Sequence, residues 1–309
     1  MRIYDAKADS ARVTEILNQW NLVPTSVAEM ERGEWRVPVG HYRTVAVADD
    51  GRILGFCPTV PDGAGRFFTQ VFVDRAHRRQ GIGRLLYEDA LRFVLANGGR
   101  IVQCQVRDDD PDSLAFAERR GFAVDRQQFR SMLSIATCHD DRWQGAVDRA
   151  EALGIRFRTL AELGFSAETL RNLYNLTGQV VRDIPGRSLD GPRQSFEEFC
   201  EGFRRAALPP ECQLVALDGV TWVGVALLSP KMQDGQCLLE NDLTGVDRRY
   251  RGLGIAQALK VLAVRIARDY GADYIWTRND SQNAPILAIN RKMGYRAEAG
   301  VYSLICRVG

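Results

Sequence analysis

Two similar segments, 173 residues apart, constrain this chain more than any other feature of its sequence. They read VDRAHRRQGIG from Val73 and VDRRYRGLGIA from Val246, and seven of the fourteen positions that begin at these two valines are identical. The pair Gly121-Phe122 corresponds to Gly294-Tyr295 at the same offset. A constant offset at two separate landmarks indicates a tandem duplication of one fold.

Each copy lies between a predicted strand and a long amphipathic helix. Its glycines allow a sharp turn and let a ligand approach the backbone closely. The first turn of the helix presents unpaired N–H groups at the positive end of the helix dipole. The basic turns at Gly81 and Gly254 are therefore predicted to bind an anion. In the register of the repeat Gly254, and not Gly252, corresponds to Gly81.

The two halves repeat one order of predicted elements. A hairpin around a DG turn (Asp50-Gly51 or Asp218-Gly219) precedes a strand, the basic turn and the long helix. Another strand, a short helix, a Gly-aromatic pair and a last strand follow. This order predicts an N-terminal domain over residues 1–136, a polar helical linker over 137–153 and a C-terminal domain over 154–309.

Composition excludes several other classes of protein. The net charge of +2 gives no support to general nucleic-acid binding. Seven cysteines without CxxC spacing and three scattered histidines predict reduced, packed thiols and no metal site. No apolar run approaches membrane length and the N-terminus lacks a signal-peptide core, so we expect a cytoplasmic protein.

The repeated pattern resembles the acetyl-CoA-binding motif of the GCN5-related N-acetyltransferases (GNAT), which reads (Gln/Arg)-x-x-Gly-x-(Gly/Ala). It occurs as Arg78-x-x-Gly81-x-Gly83 and as Arg251-x-x-Gly254-x-Ala256, with the order of elements found in that family. The resemblance implies an α/β (α+β) fold of two tandem GNAT-like domains, each a mixed, mostly antiparallel twisted sheet flanked by helices. It also implies transfer of an acetyl group from acetyl-CoA, as co-substrate, to an amine.

The same resemblance assigns the cofactor contacts. The expected contacts in the C-terminal repeat are Leu243, Thr244, Val246, Arg249, Arg251, Gly252, Gly254, Ile255, Ala256 and Asn283. Those in the N-terminal repeat are Val73, Arg78, Arg79, Gly81 and Gly83. Backbone amides near Leu243 to Val246 would polarise the thioester carbonyl. A dinucleotide site is excluded because the third glycine of GxGxxG and its acidic partner are absent.

The catalytic base is expected on the strand before the motif. Many family members carry a carboxylate there, and the position eleven residues before Arg251 is Glu240. Asp242 shares its strand face and is a second candidate. Desolvation in an apolar strand would raise the pKa of such a carboxylate toward the range a base needs. The N-terminal repeat has Phe67 and Thr69 instead, so it is expected to be degenerate and the C-terminal domain catalytic.

The proton donor for the leaving thiolate is missing from its usual place. The family often has a tyrosine four residues before the Gly-aromatic pair, where this chain has Asn290 and Ala117. A nearby tyrosine (Tyr250, Tyr295 or Tyr302) or water could replace it. Polar side chains between Tyr174 and Arg187, among them Arg182 and Asp183, are candidate contacts of the acceptor.

Three functions stay open at this point. The first is N-acetylation of a primary amine of a small molecule; tandem family members include one that acetylates a thiol-sugar intermediate. The second is an acetyl-CoA sensor or scaffold without turnover, and the third is an acyltransferase for a longer acyl-CoA. No nucleic-acid or membrane partner is expected, and the chain is predicted to be a monomer or homodimer.

Overall fold

The computed structural model describes residues 1–21, 24–34, 40–185, 194–233 and 235–309. The chain forms two compact units. The N-terminal unit consists of Met1–Gln127 and Ala299–Gly309, and the C-terminal unit consists of Gln128–Glu298. No helix among the described residues is long and apolar enough to cross a membrane.

The N-terminal unit has the predicted alternation of strands and helices. Its elements are β1 (Arg2–Ile3), α1 (Ala6–Asn18), α2 (Val27–Glu34), β2 (Tyr42–Val47), β3 (Ile53–Pro61), β4 (Arg66–Thr69), β5 (Phe72–Val73), α3 (Ile82–Ala96), β6 (Ile101–Arg107), α4 (Pro111–Glu118) and β7 (Ala123–Ser134), which continues into the other unit. The strands run β1-β2-β3-β4-β6, antiparallel except for the parallel pair β4 and β6. The predicted mixed sheet is therefore confirmed here.

The C-terminal unit repeats this arrangement. Its elements are α5 (Gln144–Ala152), β8 (Ile155–Thr159), α6 (Leu160–Leu163), α7 (Ala167–Val180), α8 (Phe196–Ala206), β9 (Gln213–Asp218), β10 (Thr221–Gln233), β11 (Gln236–Val246), α9 (Ile255–Asp269), β12 (Tyr274–Asp280), α10 (Ala284–Lys292) and β13 (Arg296–Arg307), which continues into the other unit. The strands run β8-β9-β10-β11-β12, and β11 and β12 are the parallel pair.

The last strand of each repeat belongs partly to the other unit. Residues 128–134 of β7 pair with β12, and residues 301–307 of β13 pair with β6. The unit boundaries therefore differ from the predicted divisions at 136 and 154. Strand periodicity shows which face of a strand is buried but does not identify its hydrogen-bonding partner.

The segment predicted as a linker contributes to the core of the C-terminal unit. It is helical as predicted, since α5 occupies most of it. Val147 and Ala150 on α5 are buried in the same apolar cluster as Ala258, Leu259 and Val264. Burial of these side chains, at roughly 25 cal/mol per Å² of apolar surface, stabilises α5 against α9.

Candidate active site

The basic turn of the C-terminal unit has a geometry that requires glycine. Gly252 and Gly254 have φ angles of 80° and 81°, in the left-handed region that other residues adopt only with strain. Gly254 begins α9, and no side chain caps that end of the helix. A Cβ atom at either glycine would meet no atom within 4 Å. The turn thus presents free helix N–H groups to an open space, which suits a phosphate group. The basic turns at Gly81 and Gly254 are therefore called the phosphate turns below.

The arginines of this turn are paired with aspartates. Arg249 contacts Asp247 at 2.9 Å, whereas Arg248 and Arg251 both pair with Asp183 in the turn after α7. Hydrogen bonds from Arg248 and Arg251 lower the pKa of Asp183 to about 2. The Arg251 Nε also donates to the Val246 carbonyl at 3.1 Å, which orients its guanidinium. Of the two arginines predicted to contact the cofactor, Arg249 is therefore paired within the turn. Arg251 is paired with the segment after α7.

The remaining predicted contacts of this turn lie on β11 and at the start of α9. Ile255 is fully buried and anchors the helix in the core, while Ala256 is half-buried. Leu243 packs against the cluster under α7, and Thr244 donates to the Asn241 side chain at 2.8 Å. These side chains are already packed or hydrogen-bonded within the protein. The groups left to contact a ligand are therefore those of the backbone.

The strand before the turn separates from its parallel neighbour. β11 pairs with β12 only at Leu238, Leu239 and Glu240, although it pairs with β10 as far as Val246. Beyond Glu240, the Thr277 hydroxyl donates to the Asn241 carbonyl at 3.0 Å. A gap between the two strands therefore opens just beyond the predicted base, after Asn241, on the side of the phosphate turn.

Glu240 is buried at the start of this gap, with 1% of its surface exposed. Its carboxylate pairs with Arg278 on β12 at 2.9 Å and with Lys231 on β10. Two cations offset the cost of burying the carboxylate, which would otherwise be large. Glu240 is therefore a charged residue positioned by both neighbouring strands.

Asp242 occupies a β-bulge two residues further along. The register between β10 and β11 shifts between Leu227 and Leu228, which leaves Asp242 without a ladder partner. The Asp242 residue is exposed, and its carboxylate accepts a hydrogen bond from Ser229. Partial desolvation and the charge of Glu240 raise the pKa of Asp242. Proximity of two carboxylates is a common way to obtain a stronger base.

The sequence pattern of the acetyltransferase (GNAT) family matches residues 11–122 and 171–295. The chain belongs to this family. It is thus an acyl-CoA-dependent N-acetyltransferase with two GNAT domains, as the repeated motif predicted, and the family uses acetyl-CoA as acyl donor.

Curated relatives agree with this assignment, and solved structures share the fold. The chain is 27% identical over 238 residues to a mycothiol acetyltransferase of Saccharomonospora viridis, covering 76% of this chain and 72% of that one. A mycothiol acetyltransferase of Clavibacter michiganensis is 27% identical over 267 residues, covering 82% and 77%. A GCN5-related N-acetyltransferase from Sphaerobacter thermophilus superposes with a TM-score of 0.67 at 18% identity, covering 100% and 96%. A tandem GNAT protein from the clavulanic acid biosynthesis pathway superposes with 0.63 at 17% identity, covering 99% and 98%.

The GNAT motif of the N-terminal unit is also formed. Gly81 has a φ angle of 83° and begins α3, and a Cβ at Gly83 would lie 3.3 Å from the Phe116 ring. A cavity of about 750 Å³ lies beside it, and Arg78, Arg79 and Val73 line its wall. The predicted contacts of this turn are thus brought together around one cavity.

Asn283 and Asn290 have different surroundings on α10. Asn283 begins the helix without capping it, and its side chain is half-buried. Asn290, at the usual tyrosine position of the GNAT family, is buried and donates to the Asn279 side chain at 2.8 Å. Asn279 in turn donates to Ser131 at 2.8 Å. Asn290 is therefore part of a buried chain of hydrogen bonds. Its amide has no acidic proton to donate to the leaving thiolate.

The three candidate tyrosines are not equivalent. Tyr302 lies in the part of β13 that pairs with β6, so it belongs to the N-terminal unit. Tyr295 is buried, which raises its pKa far above the ordinary value. The Tyr250 hydroxyl donates to Asp218 at 2.9 Å, and this hydrogen bond raises its pKa. Of the three tyrosines, only Tyr250 lies in the phosphate turn.

Sequence reasoning missed Lys260, which faces the interior from α9. The side chain is 1% exposed, and its Nζ lies 5.3 Å from the centre of the Tyr295 ring. Burial lowers the pKa of Lys260 to about 7. The sequence does contain a signal for this residue, because Lys260 occupies a position where the helical spacing of α9 predicts an apolar residue. Among the described residues no cluster of histidine, cysteine and carboxylate side chains suits a metal ion.

Proposed function

We propose that the C-terminal unit transfers the acetyl group of acetyl-CoA to a primary amine of a small molecule, with a carboxylate as general base. The observation that carries this proposal is the pair Glu240 and Asp242 at the start of the gap between β11 and β12. The N–H groups at the start of α9 and the side chain of Arg251 are suited to hold the pyrophosphate of the cofactor.

The proposed reaction is direct attack of the amine on the thioester carbonyl carbon. The C–N bond forms, the C–S bond breaks and the electron pair leaves on sulfur. Asp242 takes the amine proton, directly or through water, because it is exposed and its pKa is raised. Glu240 is buried between Lys231 and Arg278, and its charge increases the basicity of Asp242. Positioning of the two reactants supplies much of the remaining rate.

Exchanging each carboxylate for its amide tests the base. Asp242→Asn is expected to lower kcat about 100-fold, within the usual contribution of a general base, and Glu240→Gln is expected to lower it less. Both variants should bind CoA with nearly the affinity of the unaltered protein. Thiol release from acetyl-CoA is measured with a panel of amines that includes the substrate of the mycothiol acetyltransferases. Full activity in both variants would show that neither residue is the base.

For the N-terminal unit we propose cofactor binding without catalysis. Phe67, at the position of Glu240, is buried in an apolar cluster. Thr69, at the position of Asp242, is buried and hydrogen-bonded to Thr59 at 2.8 Å. The cavity beside the phosphate turn is lined by aromatic side chains such as Phe68 and Phe116, which also suits an acyl group longer than acetyl.

A second candidate function is a CoA sensor without turnover. The replacement of the usual tyrosine by Asn290, in a buried amide chain, favours it. Calorimetry with acetyl-CoA, together with the thiol-release assay, separates the two functions. Binding without thiol release on any amine of the panel would identify a sensor.

A further inference from the structure

Two arginines occupy equivalent places in the two phosphate turns. Arg75 and Arg78 of the N-terminal turn correspond in the repeat to Arg248 and Arg251 of the C-terminal turn. In each unit, one residue that follows the first long helix contacts both arginines. That residue is Trp20 after α1 and Asp183 after α7, so the same cationic pair meets an aromatic ring in one unit and a carboxylate in the other.

Among the described residues, no carboxylate contacts both arginines of the N-terminal pair. The guanidinium carbons of Arg75 and Arg78 lie 4.7 Å and 4.4 Å from the centre of the Trp20 ring. A cation over an aromatic ring is held without being neutralised. Arg78 also donates to Ser113 at 2.8 Å, with the Asp110 carboxylate further away at 3.6 Å.

The contacts of the C-terminal pair do neutralise charge. Arg248 Nε lies 3.0 Å from each Asp183 oxygen, and Arg248 and Arg251 each also donate through Nη2. The Asp183 side chain is 15% exposed, whereas Arg248 and Arg251 are 75% and 46% exposed, so the guanidinium groups stay open to an incoming anion. A carboxylate with two oxygens between two guanidinium groups has the geometry that a phosphate group would adopt there.

We propose that Asp183 competes with the phosphates of CoA for Arg248 and Arg251, and so sets the cofactor affinity of the C-terminal unit. This inference rests on the proposed function, because it takes the C-terminal turn as a cofactor site. When CoA binds, its phosphate oxygens replace the Asp183 carboxylate on the two guanidinium groups. The carboxylate then leaves the turn and becomes available on the segment after α7. At Arg75 and Arg78 the shared contact is the uncharged Trp20 ring, so in the described part of the chain CoA would displace a carboxylate only from Arg78, where Asp110 lies 3.6 Å away.

Calorimetry with CoA tests this competition. Asp183→Asn removes the competing charge and keeps the shape, so the C-terminal site should bind CoA about tenfold more tightly, which is about 1.4 kcal/mol. Asp183→Glu keeps a carboxylate and should stay close to the affinity of the unaltered protein. Asp269→Asn, an exposed change of the same charge at the other end of α9, is the matched control and should change the affinity less than twofold.

The N-terminal turn is a second candidate site for CoA, so each titration is repeated with Arg78→Glu, which puts a negative charge in that turn. The gain in affinity from Asp183→Asn should persist there. Equal or weaker CoA binding by Asp183→Asn, with normal binding by the unaltered protein, would overturn this inference and leave the proposed function intact. A complete lack of CoA binding by every form would overturn both.

Discussion

Lys260 shows how one residue can make stability depend on pH. Its amine is buried on α9, and desolvation is the whole cause of its lowered pKa. Tyr295 is the ionisable group in contact with it, and no carboxylate pairs with it within the described parts of the chain. The ammonium form therefore destabilises the folded protein, because burying an unpaired charge is costly.

The sign of the pH dependence follows from the two pKa values of Lys260. Its pKa is about 7 in the folded protein and 10.5 in the unfolded chain. Between these values the unfolded chain binds more protons, so the contribution of Lys260 to the free energy of unfolding rises with pH. Lys260→Met should remove this slope and raise Tm at pH 7 by several degrees, since a few kcal/mol of buried charge disappear.

Thermal unfolding of both proteins at pH 7, 8 and 9 measures the effect. The buried thiol of Cys57 and the half-buried thiol of Cys104 have raised pKa values and contribute the opposite slope in this range, so the difference between the two proteins is the relevant quantity. Lys292→Met, an exposed change on α10, is the control and should follow the unaltered protein. Parallel Tm curves for the unaltered protein and Lys260→Met would contradict the prediction.

At the scale of elements, a close approach of α7 to β11 supports the proposed site. Gly245 on β11 lies beneath Val180, the last residue of α7, and a Cβ at Gly245 would lie 2.6 Å from the Val180 Cβ. Gly245 is also one residue after Thr244 and one before Val246, both predicted cofactor contacts. A glycine is required here by lack of space and not by its φ angle.

Gly245→Ala should therefore destabilise the protein by about 1–3 kcal/mol, the usual cost of overpacking. Val180→Ala removes the two methyl groups at 2.8 and 3.0 Å but keeps the Cβ at 2.6 Å, so the double variant should recover only part of the loss. Gly202→Ala on α8 meets only the end of Gln194, at 3.8 Å, and should instead stabilise the helix by about 0.5–1 kcal/mol. Urea unfolding measures the unaltered protein and the four variants. Additive losses in the double variant would rule out a clash with the Val180 methyl groups.

The repeat made much of the fold and site predictable, because two copies of one pattern constrain each other. The turns at Gly81 and Gly254, the strands before them and the helices after them all follow from sequence spacing. The ion pairs of Glu240 do not, because Lys231 and Arg278 reach it across two neighbouring strands whose register no spacing reveals. The contact of Asp183 with the phosphate turn likewise joins residues far apart in the sequence. Arg187, a candidate acceptor contact, lies outside the described residues.

At the scale of the whole molecule, the last strand of each repeat lies partly in the other unit. The two units therefore depend on each other to complete their sheets. The fragment 1–136 lacks the residues 301–307 that pair with β6, and the fragment 137–309 lacks the residues 128–134 that pair with β12. Each fragment alone should be insoluble or unfolded, because it exposes an unpaired apolar strand edge. Solubility and circular dichroism of the separate fragments measure this.

Co-expression of 1–136 with 137–309 supplies every strand and is the matched control. This pair should yield a soluble complex that unfolds cooperatively. A stable, cooperatively folded fragment 1–136 on its own would show that residues 301–307 are dispensable for the N-terminal unit.

The pairing of β6 with β13 also has a consequence for synthesis of the protein on the ribosome. Cys104 and Leu304 are ladder partners although they lie about 200 positions apart along the chain. At translation rates of about 5–20 residues per second, β6 waits for its partner for at least about 10 s. The N-terminal unit is therefore the first to be synthesised and the last to complete its sheet. During that interval β6 is a natural target for chaperones that bind exposed apolar strands.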